Sequence, residues 1–191
     1  CCTSTLVDDN LYEPSPFAMS VAIPAAVKYN PKTYDYDQKS PAPKVLVVCT
    51  DDGHFVTAQD KVFNSGHNVT EVFIPLLHFT KGGFDVEFAT ESGSAVVVEE
   101  WGMPKSAEQR KSGLPTSEDE LILKLYKELR PKMLAPLQLA NVDIEQYVGL
   151  FLPGGHGAMV NLPDSVNLGK LLVKAYEMEL MLWSSGFAEC R

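Results

Sequence analysis

The apolar run VGLFL at residues 148–152 is of strand length, and PGGHG at residues 153–157 follows it at once. Glycines let a chain turn sharply after a strand with its backbone N–H groups directed outward. In open α/β sheets, the loops that follow the carboxyl ends of the strands form the ligand site. Gly154 and Gly155 therefore either supply N–H donors to a developing oxyanion or simply permit a tight turn. His156 is the histidine that this pattern assigns to a pocket.

The composition excludes several classes of partner. The chain has 191 residues, 45% hydrophobic and 21% charged, which fits one domain with a sizeable core. A formal net charge of −9 argues against nucleic acid and against an anionic membrane surface as partners. There is no apolar run of about 18 residues, so no membrane span is expected. No basic segment leads into an apolar one at the start, so no signal peptide is expected.

Neither the cysteines nor the histidines form a metal-binding pattern. The chain holds four of each, at Cys1, Cys2, Cys49, Cys190, His54, His67, His78 and His156. There is no CxxC pair and no HxH or HxxxH pair, so the sequence predicts no metal. A chain of this length without a disulfide framework is typical of a reducing setting, and we expect it in the cytoplasm. Cys49 ends an apolar run and is interpreted as a small core residue rather than a nucleophile.

The chain divides into two parts by composition. Residues 1–43 place many prolines and tyrosines in a thin apolar background, which is typical of an extended arm. Residues 44–191 carry regular apolar patterns and are predicted to form one α/β domain. No internal repeat or low-complexity tract is found.

Strands and helices alternate along the second part. The run VLVVC at residues 45–49 is typical of a parallel strand covered on both faces. Apolar residues then recur at helical spacing, at Val69, Val72, Phe73, Leu76 and Leu77. Further strands are predicted at 84–89, 95–98, 147–152 and 180–183, and further helices start near 117 and 163. Residues 50–60 are polar and predicted to be a loop, and Pro75 is expected to kink or shorten the first helix. This order predicts a doubly wound parallel sheet.

Glu71 is the candidate catalytic acid. It lies on the helix after the first strand, next to the apolar Val72 and Phe73. A carboxyl group on that face would be partly removed from water, which raises its pKa and suits it to proton transfer. The alternative is an ordinary solvated helix carboxylate, and the pattern alone does not distinguish the two.

Six motifs occur in a fixed order within residues 10–180. They are KVLVV at 44–48, HNVTE at 67–71, PLLH at 75–78, GFDVEFAT at 83–90, WGMP at 101–104 and LPGGHGA at 152–158. In combination they resemble the ThiJ/PfpI superfamily, in its branch of stress-induced chaperones with glutathione-independent glyoxalase (glyoxalase III) activity. The resemblance implies a flavodoxin-like fold of the class I glutamine amidotransferase type, a homodimer and no cofactor.

The resemblance also implies an activity and roles for residues. Members of the family convert methylglyoxal to lactate through a cysteine thiolate, and removal of early sugar-aldehyde adducts from proteins is attributed to them. Glu71 matches the glutamate that holds or accepts the thiol proton. Gly154 and Gly155 match the oxyanion loop, with His156 beside them as a substrate-binding residue.

The sequence departs from the family where the nucleophile belongs. A Cys-His-Gly-Pro motif is expected after the last strand, but the chain reads SSGFAECR there, and Gly186 falls near the nucleophile position. Cys190 is out of position and has no histidine after it. Thr80 and Asp85 stand where some members carry metal ligands, so no metal is expected. We therefore expect a domain truncated before the nucleophile turn, with a sheet edge and an apolar face exposed.

Two functions from different classes follow. The first is glutathione-independent glyoxalase or deglycase chemistry on a small aldehyde such as methylglyoxal, impaired because the Cys-His motif is absent. The second is a non-enzymatic holding chaperone that binds unfolded client proteins. An inactive fragment is the third possibility that the sequence leaves open.

Overall fold

The structure, a computed structural model, describes residues 4–22, 41–104 and 117–186. The strands are β1 (Ser4–Asp8), β2 (Leu11–Pro14), β3 (Lys44–Val48), β4 (His54–Val56), β5 (Val62–Asn64), β6 (Asp85–Thr90), β7 (Leu137–Gln138), β8 (Gly149–Leu152) and β9 (Met181–Ser184). The helices are α1 (Pro16–Ala22), α2 (Val69–Lys81), α3 (Ser117–Leu134) and α4 (Val166–Glu177). Short 3-10 turns lie at Glu100–Gly102, Leu139–Asn141, Ile144–Gln146 and His156–Met159.

The larger sheet has five strands in the order β7-β6-β3-β8-β9, and every pair in it is parallel. If the two-residue β7 is set aside, the order by sequence is 2-1-3-4, as in flavodoxin-like sheets. The chain leaves β3 toward β6 on one side and later returns to β8 on the other. The predicted doubly wound α/β fold is confirmed, and its crevice lies where β3 and β8 end.

Helices cover both faces of this sheet. Val45 and Val47 of β3 are fully buried in a cluster with α2 and α3, while Leu46 and Val48 are fully buried in a second cluster with α4. Burial of each such side chain stabilises the fold by about 1.5–3 kcal/mol. The five apolar positions predicted for α2 are all buried, so the spacing correctly identified the face of this helix that meets the sheet.

A smaller sheet was not predicted. Its order is β1-β2-β5-β4, and β2 pairs in parallel with β5 through Leu11 and Tyr12. Described residues 4–22 of the predicted arm thus contain a hairpin and a helix that join the domain, whereas residues 23–40 lie outside the described residues. The loop predicted for residues 50–60 is wrong at His54–Val56, because these residues pair with β5 rather than with the main sheet.

The strand predicted at residues 95–98 is also wrong. Val98 makes one isolated parallel bridge to His67, and no ladder forms around it. The segment instead runs alongside the start of α2, with the Val97 carbonyl accepting from the His67 N–H at 3.0 Å. These few contacts place Glu99, the residue after Val98, beneath the amino end of α2.

Candidate active site

The glycine-rich loop after β8 is packed too closely for any other residue. A Cβ at Gly154 would overlap a carboxylate oxygen of Glu71 and the Ser185 carbonyl. Gly155 has φ +96°, and a Cβ there would overlap the backbone at Asn68. The loop therefore needs glycine both for its conformation and for the approach of α2 and the end of β9.

Three backbone N–H groups of this loop have acceptors within the protein. The Gly154 N–H donates to Ser185 Oγ at 3.3 Å, while the Gly155 N–H lowers the pKa of the Glu71 carboxyl group. The His156 N–H donates to Glu99 Oε1 at 3.3 Å, and the Gly157 N–H donates to the Gly66 carbonyl at 2.7 Å. The loop holds the parts of the site together, and these three N–H groups are engaged in doing so.

Glu71 is held in the first turn of α2 by an N-cap. Asn68 Oδ1 accepts from the N–H groups of Thr70 at 3.0 Å and Glu71 at 3.4 Å. The Glu71 carboxylate turns toward Gly154 and Gly186, and its Oε2 is buried without a hydrogen-bond partner in the described structure. Burial first, and the nearby Glu99 second, raise the pKa of Glu71, while His156 and the Gly155 N–H lower it. The carboxyl group thus lies inside the site with one free oxygen.

Gly186 lies directly against this carboxylate. Its φ is +71°, and a Cβ built on it would overlap the Glu71 carboxyl group. This is the position that the resemblance assigns to the nucleophile, so a side chain there would point at Glu71. Cys190 lies outside the described residues. Cys49 is fully buried in the core, and burial raises the pKa of its thiol well above the usual range, which leaves it inert.

Pro75 and Ser185 join α2 to the end of β9. A proline has no N–H, so Pro75 leaves the Glu71 carbonyl, four residues earlier, without its helical donor. The Ser185 hydroxyl donates to this carbonyl at 3.0 Å. The helix continues through Pro75 to Lys81, so the expected shortening is not observed. One hydroxyl therefore ties the turn that bears Glu71 to the residue before Gly186.

His156 and Glu99 form the other side of the site. His156 Nδ1 lies 2.7 Å from Glu99 Oε1, and the Glu99 side chain is 1% exposed against 37% for His156. The rings of Phe55, Phe63 and Trp101 lie 5.6–6.4 Å from the imidazole. The hydrogen bond to Glu99 raises the pKa of His156, burial lowers it, and the charges of Glu99 and Glu71 raise it further.

His67 fixes the loop to the end of β3. Its Nε2 accepts from the Thr50 N–H at 2.7 Å, so its Nδ1 carries the proton and donates to the Gly154 carbonyl at 2.9 Å. The ring is fully buried, and this burial lowers the pKa of His67 to about 4. His67 is a neutral structural bridge near neutral pH.

Thr80 and Asp85, which the resemblance matches to a metal site, make other contacts in this structure. The Thr80 hydroxyl donates to the Leu76 carbonyl at 2.8 Å, and Asp85 forms an ion pair with Lys132 at 2.6 Å. Within residues 4–22, 41–104 and 117–186, no group of three or more His, Cys, Asp or Glu side chains is placed to hold a metal ion. None of the helices in those ranges is long and apolar enough to cross a membrane.

Sequence reasoning brought Glu71, Gly154, Gly155 and His156 forward, and the structure places all four around one site. It missed Glu99, His67 and Ser185. Glu99 lies beside the exposed Glu100, between the apolar run VVV at residues 96–98 and Trp101, and no periodicity separates the two glutamates. The one available signal was Pro75, because a proline four residues after Glu71 frees a carbonyl that a further group must satisfy.

The parallel sheet with helices on both faces defines a flavodoxin-like α/β protein, and an acidic side chain lies against a glycine loop at the carboxyl edge of this sheet. A family model described as "ThiJ/PfpI family-like" matches residues 62–179. The chain belongs to this family.

Curated relatives include the protein/nucleic acid deglycase HchA of Pseudomonas aeruginosa strain LESB58. It is 30% identical over 171 residues, which are 86% of this chain and 54% of the relative. HchA of Staphylococcus aureus strain RF122 is 29% identical over 181 residues, 92% of this chain and 58% of the relative. The chain therefore spans little more than half the length of these relatives.

Solved structures show the same fold. Glyoxalase III of Candida albicans superimposes with a TM-score of 0.55 at 20% identity, over 74% of this chain and 56% of the other. The 24 kDa rapid encystment protein of Francisella tularensis superimposes with a TM-score of 0.58 at 16% identity, over 74% and 57%.

Proposed function

We propose that this chain carries the acid–base half of a glutathione-independent glyoxalase or deglycase site, which acts on small reactive carbonyl compounds such as methylglyoxal. The observation that carries the proposal is the Glu71 carboxylate, half-buried, with a free Oε2, against the positive-φ residue Gly186. Relatives named deglycase and a structural neighbour named glyoxalase III support the same chemistry.

The reaction is an internal oxidation and reduction. Methylglyoxal and water together have the composition of lactic acid: the aldehyde carbon is oxidised, the ketone carbon is reduced, and one proton moves between them. A thiolate that adds to the aldehyde makes this proton removable, and a carboxylate beside the adduct can take the proton and return it. We assign the second task to Glu71, whereas Gly186 supplies no thiol for the first. We therefore propose that the chain as given has little of this activity.

Restoring the thiol tests the proposal. A side chain at Gly186 costs about 1–2 kcal/mol at positive φ, and the Glu71 carboxylate, at the end of a flexible side chain, can shift to admit it. We expect the unchanged chain to form little lactate from methylglyoxal and Gly186→Cys to form more. Glu71→Gln in the Gly186→Cys background should lower the gain by about 10²-fold.

Gly169→Cys is the matched control. Gly169 lies on the exposed side of α4 with open space around it, so a thiol there should not increase lactate formation. Rapid turnover by the unchanged chain that survives replacement of all four cysteines by serine would reject thiolate chemistry at this site.

The second candidate function is a holding chaperone for unfolded proteins, and the exposed apolar side chains support it. Met181 and Leu182 lie on β9, at the edge of the described sheet, and are 59% and 47% exposed; Tyr176 on α4 is 79% exposed. Apolar surface of this kind binds unfolded chains. Suppression of light scattering from a heated client protein, lost in Met181→Ser and Leu182→Ser, would support this function over the enzymatic one.

We also propose that the chain is a cytoplasmic stress protein and that it forms a homodimer. Its proposed partners are small aldehydes or client proteins, and we expect it to bind neither nucleic acid nor membranes. The family resemblance and the net charge of −9 support these points. Light scattering coupled to size exclusion measures the mass in solution, and a monomer would reject the homodimer.

A further inference from the structure

The glycine loop leaves the site short of hydrogen-bond donors. The N–H groups of Gly154, His156 and Gly157 are engaged, with Ser185, Glu99 and Gly66 as acceptors. An oxyanion that develops on a bound carbonyl compound therefore finds these three donors occupied, and stabilising such charge is usually the largest contribution of a site of this kind. A side chain can supply a further donor.

His156 is the side chain in a position to supply it. It lies on the same loop, it is partly exposed, and it interacts electrostatically with Glu71. Its Nδ1 is taken by Glu99 at 2.7 Å, which leaves Nε2 as the ring nitrogen available to a ligand. The rings of Phe55, Phe63 and Trp101 surround the imidazole and limit its movement.

Glu99 is built into the fold to hold this ring. Its carboxylate accepts from His156 Nδ1, from the His156 backbone N–H and from Asn68 Nδ2. Its own N–H donates to the His67 carbonyl at 2.9 Å. A buried carboxylate with several donors is fixed in place. Because Asn68 also caps α2, Glu99 connects the histidine to the helix turn that carries Glu71.

We infer that Glu99 is a positioning residue, which accepts the Nδ1 proton of His156 and stabilises the ring in its doubly protonated form, so that the Nε2–H donates to the carbonyl oxygen of a small α-oxoaldehyde bound against Glu71. This assignment rests on the proposed function. In the adduct with a thiol, such as the one that Gly186→Cys supplies, Glu71 removes the proton from the thiol-bearing carbon, the electron pair moves to the neighbouring carbonyl oxygen, and the proton on Nε2 of the doubly protonated ring passes to that oxygen. The Glu71 proton then returns to the second carbon, whose oxygen keeps the proton from His156. Nε2 of the now neutral ring takes the hydroxyl proton of the thiol-bearing carbon as that carbon becomes a thioester carbonyl.

The test is an NMR titration of His156, which does not depend on turnover. In the unchanged chain, both ring nitrogens of His156 carry protons when the pH is below the pKa of His156. When the pH is above this pKa, the ¹⁵N shifts should show that the remaining proton is on Nδ1, against Glu99. Two groups bear on this titration, Glu99 at Nδ1 and Glu71 across the site. Glu99→Gln should lower the pKa of His156, and Glu99→Asp should restore part of the difference. Glu100→Gln, one residue along on an exposed side chain, should leave it unchanged.

Hydroxyacetone serves as the carbonyl probe. Hydroxyacetone should shift the Nε2 signal of His156 in the unchanged chain. It should bind about tenfold more weakly to His156→Gln and to Glu99→Gln, because each variant loses a charge-assisted hydrogen bond of about 1.4 kcal/mol. A proton on Nε2 in the neutral ring, or equal titration in Glu99→Gln and Glu100→Gln, overturns the positioning role. A normal titration with no response to hydroxyacetone overturns the donor role. Absence of lactate from Gly186→Cys, with His156 behaving as described, rejects the proposed function alone.

Discussion

Two glutamates lie in the same site and are held in opposite ways. Glu99 is fully buried, and its carboxylate accepts three hydrogen bonds from His156 and Asn68. Glu71 is half-buried, and its Oε2 has no partner in the described structure. A buried carboxylate that is fully bonded stabilises a fold, whereas an unsatisfied one remains free to react. The comparison supports the proposal that Glu99 holds the site together and that Glu71 is its acid.

The largest expected change in stability comes from a substitution at Glu99. Glu99→Ala removes a fully buried carboxylate that accepts three hydrogen bonds and leaves a cavity in its place, so it should lower the free energy of unfolding by about 3–5 kcal/mol. Urea unfolding followed by circular dichroism measures this. Glu100→Ala is the control and should change the value by no more than about 0.5 kcal/mol. Equal values for the two variants would show that Glu99 has no structural role.

A second comparison, between His67 and His156, gives the next effect. Burial lowers the pKa of His67 to about 4, so the unfolded chain takes up the proton first as the pH falls from 6.5. The stability that neutral His67 maintains is therefore lost between pH 6.5 and about 4, and the loss is about 3 kcal/mol. His67→Gln should flatten this part of the curve of unfolding free energy against pH. A curve of unchanged slope would contradict the prediction.

For His156 the sign is the opposite. Its pKa is raised by Glu99, so the ion pair stabilises the fold below the ordinary pKa of histidine and this stability is lost as the pH rises through the raised value. The two histidines should therefore give slopes of opposite sign in the same titration.

Removal of the Ser185 hydroxyl should cause a smaller loss of stability, and a substitution at Pro75 provides the control. Ser185→Ala leaves the Glu71 carbonyl without a donor and should cost about 1–2 kcal/mol. Pro75→Ala returns a helical N–H to that carbonyl, so Ser185→Ala should cost less in the Pro75→Ala background. A double-mutant cycle measures the coupling. Strict additivity would mean that Pro75 and Ser185 act independently.

The smallest expected change in stability comes from a substitution at Glu71, and it is a gain rather than a loss. The raised pKa of Glu71 means that its charged form is destabilising above about pH 4.5, the ordinary value for this group. Glu71→Gln should therefore stabilise the chain at pH 7 by about 0.5–2 kcal/mol, as replacements at reactive sites often do. Thermal unfolding at pH 7 and pH 3 measures this, and the gain should disappear at pH 3. A loss of stability at pH 7 would contradict the assignment of Glu71 as the free acid.

The parts of the fold that the sequence predicted are those that depend on local periodicity. The apolar positions of α2 and the buried run of β3 follow from spacing alone, and the glycine loop after β8 follows from its residues. Parallel topology then brings Glu71 and Gly154 together at one edge.

The parts that it missed depend on contacts between distant residues. Glu99 and His156 are separated by 57 positions, and Glu71 and Ser185 by 114. No local pattern shows that Glu99 is buried and Glu100 exposed, because the contrast comes from the packing of the segment under α2. The pairing of β2 with β5 was not predicted either, because it also joins residues that are distant in the sequence.

The defect that Pro75 makes in α2 has a mechanical consequence. Side chain and main chain of Glu71 both face the end of β9: the carboxylate touches Gly186, and the carbonyl is bonded to Ser185. A small rotation of the helix would therefore move the carboxylate and the carbonyl together. A side chain added at Gly186 meets the Glu71 carboxylate directly, so the carboxyl group has to rotate aside while the hydrogen bond from Ser185 still holds the helix turn against the end of β9.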